Sequence, residues 1–427
     1  MLIDMGPTAC QMLVQWVVFP LWRLWDWLLP KYPDCWAFFG HPLKRTQFVE
    51  NSRALFEHVK GDSRIQKWVF VEGDVAALQL EGAVNTRVIE LQSLAGLIAL
   101  ARCGVFLLTN SVSLDLSWRW EDSRFAVPRP ALRRRVVVNL WHGIALKKLF
   151  TVANPEQRRH AERVAYRRTE RQHYAGLVAS SDIDSYAMAA MFHPLSYARI
   201  WLTGLPRNDF LRMPEEKLPT YLAQQLAALR ALARGKRLLV YAPTFRDSQV
   251  GGAECYRFSA AEIEQLKALL QRHQACLGFR MHYFRKGDQL FNMEAYVDDV
   301  TILDLGHERF PEIGPVLRAC DGLVTDYSSV YIDALYIDKP VFSFAYDLDH
   351  YREQQNGLLY DMELAFPGPV VGDFEALLAA LDSELTTPAL LASPAYRTAR
   401  KLFFSFNDAN NSARVVERID SLVRLQR

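Results

Sequence analysis

The sequence lacks the paired cysteines that bind zinc or form a redox dithiol. Its six cysteines are scattered over 427 residues, and no two of them stand in a Cys-x-x-Cys arrangement, which excludes zinc knuckles and redox dithiol motifs. Isolated cysteines serve as small apolar residues in a reducing compartment, so we expect a cytoplasmic location. A large excess of one charge is missing too, since the formal net charge is +2; this argues against nucleic-acid binding driven by overall charge.

The first 30 residues lack the features of a secretory leader and of a full membrane span. Neither a basic segment nor a small-residue cleavage site is present. The apolar run 13–22 is shorter than the roughly 20 apolar residues that span a bilayer, and it contains Pro20. Residues 23–29 then alternate charges with tryptophans, as interfacial segments do. A helix lying in the membrane plane is the favoured interpretation; a helix packed on the protein and a true span are the alternatives.

Two consecutive runs of short apolar segments alternate with segments of helical spacing, which is typical of parallel α/β sheets. The strands expected in the first run are 36–40, 68–71, 88–91, 105–109, 136–140 and 176–180. Those expected in the second run are 237–241, 276–280, 300–303, 322–325 and 340–343. We therefore predict an apolar helix over 1–30, a first doubly wound domain over 31–215, a second over 216–398, and a C-terminal helix over 399–427 that crosses back to the first domain.

Two histidines directly follow expected strands, where parallel sheets bind their ligands. His142 comes after the strand 136–140 and before Gly143, and a histidine in that position can act as a general base near neutral pH. Arg280 and His282 lie two residues apart at another strand end, so both point to the same face if the strand continues. The alternative for each histidine is a structural role, satisfied by local hydrogen bonds.

Polar residues after two further strands are candidates for binding phosphate. Thr244 and Arg246 follow the strand 237–241, and arginine offers a planar fork of donors to phosphate oxygens. Ser328 and Ser329 fall at an expected helix N-terminus, where free backbone N–H groups favour an anion. The alternatives are an arginine paired within its own loop and an ordinary N-cap formed by Asp326 or Ser328.

Five segments, in chain order, resemble the motifs of the CDP-glycerol glycerophosphotransferase family of teichoic-acid and capsule polymer synthesis. The family patterns W-H-G-T-P-L-K, G-x-P-R-N-D, Y-A-P-T-W-R, R-x-H-P and T-D-Y-S-S stand here at 141–147, 204–209, 241–246, 280–283 and 325–329. The resemblance runs from about residue 37 to residue 419. Two departures are clear: Ile144-Ala145 replaces the usual Thr-Pro, and Tyr283 replaces the usual proline.

The resemblance implies a fold, a donor and a set of site residues. The fold is GT-B, with two Rossmann-like doubly wound domains facing across a cleft, here with an N-terminal apolar helix. The donor is CDP-glycerol or another CDP-alditol, with no metal or other cofactor. The implied catalytic residues are His142 and His282. The residues implied to bind the donor phosphates are Thr244, Arg246, Arg280, Asp326, Ser328, Ser329 and Lys147.

The mechanism we expect is transfer of glycerol phosphate to a hydroxyl of a lipid-linked or polymeric saccharide or polyol-phosphate acceptor, with release of CMP. His142 would remove the acceptor proton and His282 would stabilise the departing CMP, although the sequence does not order these two roles. We expect a peripheral protein on the cytoplasmic face of the membrane, held by its anionic surface. The alternative is a GT-B glycosyltransferase with a nucleotide-sugar donor, in which Asp333 or Glu312 binds sugar hydroxyls.

Overall fold

The computed structural model describes residues 7–41, 44–73, 78, 80–120, 124–153, 164–244, 255–281, 295–354 and 357–425. His282 and Tyr283 lie outside the described residues, as does Arg246. Their predicted roles therefore stay predictions from sequence.

The first half of the chain forms a seven-stranded sheet in which every pair of neighbouring strands is parallel. Its strand order is β3-β2-β1-β4-β7-β8-β9. The strands of this sheet are β1 Tyr32–Phe39, β2 Gln66–Val71, β3 Thr86–Glu90, β4 Cys103–Leu108, β7 Val136–Asn139, β8 Gly176–Ala179 and β9 Ile200–Leu202. A short antiparallel hairpin inserted after β4 consists of β5 Trp118–Arg119 and β6 Phe125–Ala126.

The second half forms a six-stranded sheet, again with parallel neighbours throughout, in the order β12-β11-β10-β13-β14-β15. Its strands are β10 Arg237–Tyr241, β11 Ala275–Phe279, β12 Ile302–Asp304, β13 Gly322–Thr325, β14 Val341–Phe344 and β15 Val370–Val371. The predicted α/β class with parallel sheets is therefore confirmed. In each sheet the strand order reverses once, between β1 and β4 and between β10 and β13, and such reversals leave a crevice where ligands bind.

Helices connect most of the strands. Those of the first half are α1 Pro7–Leu13, α2 Phe19–Leu28, α3 Glu50–Val59, α4 Leu94–Leu100, α5 Val112–Asp115, α6 Val164–Arg171, α7 Asp182–Met191 and α8 Asp209–Arg212. Those of the second half are α9 Thr220–Ala233, α10 Ala260–Arg272, α11 Ile313–Ala319, α12 Val330–Tyr336, α13 Leu348–Gln354, α14 Met362–Ala365, α15 Phe374–Thr386, α16 Pro394–Phe403 and α17 Asn411–Leu425.

The alternation of β1 side chains shows how the first sheet is covered on both faces. Trp36 and Phe38 pack into the hydrophobic cluster that contains residues of α3 and α17. Ala37 and Phe39 pack into the cluster that contains residues of α2 and α4. Because successive residues of a strand point to opposite faces, an unbroken apolar run is what a strand covered on both sides requires.

The N-terminal segment is helical from Pro7 to Leu28, with a π-helical turn at Val14–Val18 between α1 and α2. The Trp22 indole N–H donates to the Leu97 carbonyl at 2.7 Å, which fixes α2 against α4. No helix among the described residues is long and apolar enough to cross a membrane.

Asp26 is a fully buried carboxylate on the inner side of α2. It forms a two-point ion pair with the Arg135 guanidinium, accepts the Ala131 amide hydrogen at 2.7 Å and lies 3.2 Å from the Lys31 ammonium. Burial lowers the pKa of Lys31 to about 8, with a further contribution from nearby Arg135. One carboxylate thus joins α2 to the loop that precedes β7.

The C-terminal region differs from the prediction of one helix over 399–427. It forms two helices, α16 and α17, separated by a turn in which Asp408 accepts the Asn410 amide hydrogen at 3.0 Å. Asp and Asn favour such turns because their side chains bond to nearby backbone groups. The carboxylate of Asp209 in α8 accepts the amide hydrogens of Asn411 and Ser412 at 2.7 and 2.8 Å, so a residue of the first half caps α17.

Candidate active site

A cleft of about 230 Å³ lies where the carboxyl ends of the two sheets meet. From the first sheet come residues that follow β1, β4 and β7, together with the start of α3 and Arg207. From the second come residues that follow β10, β11 and β13. The residues that line it are His41, Val49, Glu50, Asn51, Thr109, Asn110, Trp141, His142, Arg207, Ala242, Pro243, Arg280, His307, Ile313, Ser328, Ser329, Val330 and Asp333.

The loop that carries His142 is held in a strained conformation. Trp141 has a positive φ of 53°, which is rare for a bulky residue and costs of order 1–3 kcal/mol. The Asn51 amide offsets this by donating to the carbonyls of Leu140 and Trp141 at 3.1 and 3.0 Å. Its oxygen accepts the Arg207 amide hydrogen at 2.9 Å. Asn51 therefore fixes the two loops that bring His142 and Arg207 to the cleft.

His142 presents its ring to the cleft and is poised as a proton acceptor. The ring is exposed to the cleft, but its position between the two halves of the chain desolvates it and lowers its pKa to about 4, against a smaller upward effect of Glu50. The Thr109 backbone has a smaller upward effect on the same pKa. A neutral imidazole that donates through one nitrogen keeps a lone pair on the other. The arrangement therefore suits His142 to take a proton at neutral pH.

Two further histidines in the cleft are placed to donate a hydrogen bond rather than to accept a proton. Nδ1 of His41 accepts the Lys44 amide hydrogen at 3.0 Å, and Nδ1 of His307 accepts a hydrogen bond from the Arg280 guanidinium at 3.2 Å. Since neither partner can accept, the proton of each neutral ring lies on Nε2. Burial also lowers the pKa of His41. His41 and His307 are therefore hydrogen-bond donors, whereas His142 is an acceptor.

Arg280 is buried at the end of β11 with its guanidinium held rigidly. One terminal nitrogen donates to the carbonyls of Leu305 and Phe310 at 3.0 and 2.8 Å. Burial lowers its pKa to about 10, which still leaves it charged at neutral pH. A fixed cation lining the cleft is suited to the negative charge of a diphosphate.

The predicted phosphate-binding residues of the second sheet divide into two groups. Ser328 and Ser329 line the cleft directly before α12. Asp326 is fully buried, and its carboxylate accepts the amide hydrogens of Thr244 and Tyr327 at 2.8 and 2.5 Å. Asp326 thus ties the loop after β10 to the loop after β13, and neither Asp326 nor Thr244 lines the cleft.

Lys147, predicted to bind phosphate, is not among the residues that line the cleft. Its ammonium lies 5.6 Å from the centre of the Tyr351 ring, and its backbone bridges to Leu358. The structure therefore places Lys147 at a contact between the two halves of the chain.

Arg207 connects the two halves at the floor of the cleft. Its guanidinium lies 2.6 Å from Asp333 on α12 and 3.6 Å from Glu50 on α3. The Glu50 amide donates to the Glu312 carboxylate at 3.3 Å. Burial, and then the nearby Glu50 carboxylate, raise the pKa of Glu312 to about 7. Both carboxylates considered for sugar binding are therefore engaged in protein contacts.

Several cleft residues were not assigned a role from the sequence. His41 and Thr109 follow β1 and β4, so the strand-end rule that selected His142 would have found them. Arg207 lies in a segment noted only for family resemblance, and the roles of Glu50, Asn51 and Arg207 depend on contacts between distant segments. Among the described residues, no group of three or more His, Cys, Asp or Glu side chains is placed to hold a metal ion.

Comparison with curated proteins finds bacterial wall-polymer enzymes. The chain is 26% identical over 401 residues to a teichoic acid glycerol-phosphate transferase of Staphylococcus aureus, covering 92% of this chain and 95% of that protein. It is 25% identical over 389 residues to a teichoic acid ribitol-phosphate primase of Bacillus spizizenii, covering 89% of this chain and 90% of the relative. A Bacillus subtilis teichoic acid poly(glycerol phosphate) polymerase matches at 24% identity over 80% of this chain, but only 43% of that longer protein.

Solved structures and family profiles agree with these relatives. A structure of the wall teichoic acid polymerase TagF superposes with a TM-score of 0.74 at 17% identity, covering 96% of this chain and 93% of that one, which shows a shared fold. The profile of the CDP-glycerol:poly(glycerophosphate) glycerophosphotransferase family matches residues 27–421. Since that match spans nearly the whole sequence, the chain belongs to the CDP-glycerol:poly(glycerophosphate) glycerophosphotransferase family.

Proposed function

We propose that this chain transfers glycerol phosphate, or a related alditol phosphate, from CDP-glycerol to a hydroxyl of a polymeric or lipid-linked teichoic-acid-like acceptor, and releases CMP. The observation that carries the proposal is the family match over residues 27–421, together with a cleft that combines a proton acceptor and a buried cation. A GT-B arrangement of two Rossmann-like domains, divided between β9 and β10, is part of the proposal. The TagF likeness supports it.

In the proposed step the acceptor hydroxyl oxygen bonds to the β-phosphorus while His142 takes its proton. The bond from that phosphorus to the bridging oxygen breaks, and CMP leaves with the electron pair. His282, following β11, stabilises the charge on CMP in this scheme. Arg280, Ser328 and Ser329 hold the phosphates, with Arg246 as a further cation. No metal is required, because fixed cations and N–H donors can supply the positive field.

The donor test compares nucleotides directly. The purified full chain is incubated with CDP-glycerol, CDP-ribitol and UDP-N-acetylglucosamine together with a soluble glycerol-phosphate acceptor, and the released nucleotide is measured by chromatography. We expect CMP from one or both CDP-alditols and no UDP. Release of UDP without CMP would replace the proposal by the glycosyltransferase alternative, and the same assay in EDTA tests the metal-free scheme.

His41 is expected to act as a substrate hydrogen-bond donor rather than as a base. Its ring lines the cleft, and Nε2 lies 4.0 Å from the Glu50 carboxylate. His41→Ala should lower kcat/KM by about 5- to 15-fold, the value of one hydrogen bond of about 1–1.5 kcal/mol. His41→Gln, which keeps an N–H group at similar reach, should recover most of that loss. A shift in the acid limb of the pH profile of His41→Ala would instead assign the base to His41.

The proposed location is the cytoplasmic face of the membrane, as a peripheral protein that meets a lipid-linked acceptor. Exposed tryptophans on the N-terminal helical segment support it, because indole rings prefer the membrane interface. Sedimentation of cell lysate before and after a carbonate wash tests the location. A protein found entirely in the supernatant before the wash would contradict it.

A further inference from the structure

Two neighbouring grooves lie between the N-terminal helical segment and residues 125–134, next to the first sheet. One, of about 1030 Å³, is bordered by Arg23 of α2 and by Arg129, Arg133 and Arg134 of the loop before β7. We call it the arginine groove. The other, of about 820 Å³, is bordered by Trp16, Phe19, Phe125 and Val127 and is called the apolar groove. Pro20, Arg23 and Arg129 line both, so the two grooves are continuous.

The arginine groove carries four positive charges. All four guanidinium side chains are exposed, and within the described ranges no carboxylate lies in ion-pair distance of any of them. Arg129 lies over the Tyr166 ring at 4.9 Å. Glu170, the one carboxyl group among the described residues that line the groove, is buried and accepts the Tyr174 hydroxyl hydrogen at 2.7 Å. Burial raises the pKa of Glu170 to about 7, so it supplies little compensating charge.

The helical segment beside the grooves exposes an apolar face. Seven of the eighteen exposed large apolar side chains in the described part of the chain lie between Met12 and Leu28. Trp16 is 71% exposed and Trp27 is 60% exposed. Exposed apolar side chains on a helix next to cationic residues are what a protein presents to an anionic lipid surface.

The walls of the arginine groove are fixed before any ligand binds. Asp26 on α2 accepts the Ala131 amide hydrogen at 2.7 Å and pairs with Arg135. The helix that carries Arg23 and the loop that carries the other three arginines are therefore held together by a buried contact, and a rigid site loses less entropy on binding.

We propose that the arginine groove binds the phosphate headgroup of an anionic bilayer lipid and that the apolar groove takes part of the lipid chain. Cationic and apolar surfaces that share one edge match an amphiphile with a phosphate head. The inference rests on the proposed action at a membrane and names the surface that makes the contact. The groove lies near the amino ends of β7 and β8, whereas the cleft lies at the carboxyl ends, so a bound lipid leaves the donor site open.

The test uses the full chain and two kinds of vesicle, phosphatidylcholine alone and phosphatidylcholine with phosphatidylglycerol. Arg133→Gln/Arg134→Gln is compared with Arg418→Gln/Arg424→Gln, which removes two exposed arginines from α17. We expect the first pair to weaken binding to the anionic vesicles by roughly 10- to 30-fold, which corresponds to about three- to fivefold for each charge removed. The second pair should change binding little. Equal weakening by both pairs of variants, or no weakening by the first pair, would overturn the proposal that the arginine groove binds the lipid phosphate.

A second pair of variants tests the apolar contact. Trp16→Ser/Trp27→Ser should weaken binding to both kinds of vesicle, whereas Tyr186→Ser/Tyr197→Ser, which removes exposed aromatic rings from another surface, should not. Adding free glycerol phosphate at millimolar concentration distinguishes a lipid site from a site for soluble phosphates. Vesicle binding should survive the addition if the site is specific for lipid, and should be lost if the site binds soluble phosphates. CMP release from CDP-glycerol in solution should stay within about twofold for Arg133→Gln/Arg134→Gln. Failure of the proposed transfer appears separately, as no CMP release by the wild-type chain.

Discussion

Replacing His142 by alanine should slow CMP release from CDP-glycerol by about 10²- to 10⁴-fold, the usual contribution of a general base. The ring lines the cleft and is neutral at neutral pH, so it offers a lone pair to the acceptor proton, whereas the Nδ1 lone pairs of His41 and His307 already accept hydrogen bonds. His282→Ala should also lose activity, by loss of the proposed stabilisation of CMP. His58→Ala, on the exposed side of α3, is the matched control. Near wild-type turnover in both His142 and His282 variants would refute the mechanism.

The pH profile gives an independent measure of the same residue. Because the pKa of His142 is lowered from 6.5 to about 4, the neutral base predominates throughout the neutral range. Activity should rise with pH through that pKa, so the acid limb of kcat/KM should lie well below pH 6.5. The negative donor phosphates favour the protonated ring, so the acid limb of kcat should lie at higher pH than that of kcat/KM. An acid limb near pH 8 would point to a different base.

Asp26→Asn should destabilise the fold around the first sheet by about 3–5 kcal/mol, the cost of leaving a buried charge without its partner. The substitution keeps the shape of the side chain but leaves the Arg135 guanidinium and the Lys31 ammonium without their shared counter-charge. Urea unfolding followed by intrinsic fluorescence measures the change, and a chain with two sheets can show two transitions.

The control for Asp26 is Asp62, which forms an exposed ion pair with Arg64 at 2.6 Å. Asp62→Asn should cost less than about 1 kcal/mol, because water and salt screen surface pairs. Equal losses for the two variants would mean that the buried pair contributes no more than a surface one.

Much of the fold follows from local sequence patterns. Strand β4 is an unbroken apolar run followed by the polar residues Thr109 and Asn110, and parallel sheets covered on both faces require such runs. β5, β6 and β15 escaped prediction because two residues are too short to show a period, and β9 escaped it although β12, also of three residues, overlaps the predicted strand 300–303. The strands before His142 and Arg280 were recognised from their apolar residues. Once those strands were placed, the rule that ligands bind at strand ends also selected these two residues.

The rest of the site depends on contacts that no local pattern contains. Asn51 meets the His142 loop from about 90 positions away, and Arg207 meets Asp333 from 126 positions away. The departure at Ala145 is another case. Its amide donates to the buried Asp184 carboxylate at 3.1 Å, a bond that the family's proline cannot make. The substitution therefore replaces a stiff turn by a hydrogen bond, which only the folded structure reveals.

Helix α17 has a consequence for how the protein is made. It is the last described element of the chain, yet Val415, Ile419 and Val423 are buried in the cluster that also contains β1 and α3. Domains generally fold as units during synthesis, from the N-terminus onward. Here the first sheet cannot finish its core until residues 411–425 have left the ribosome. The nascent chain must therefore carry an apolar face that α3 covers only in part through synthesis of the whole second sheet, a period in which it needs protection from aggregation.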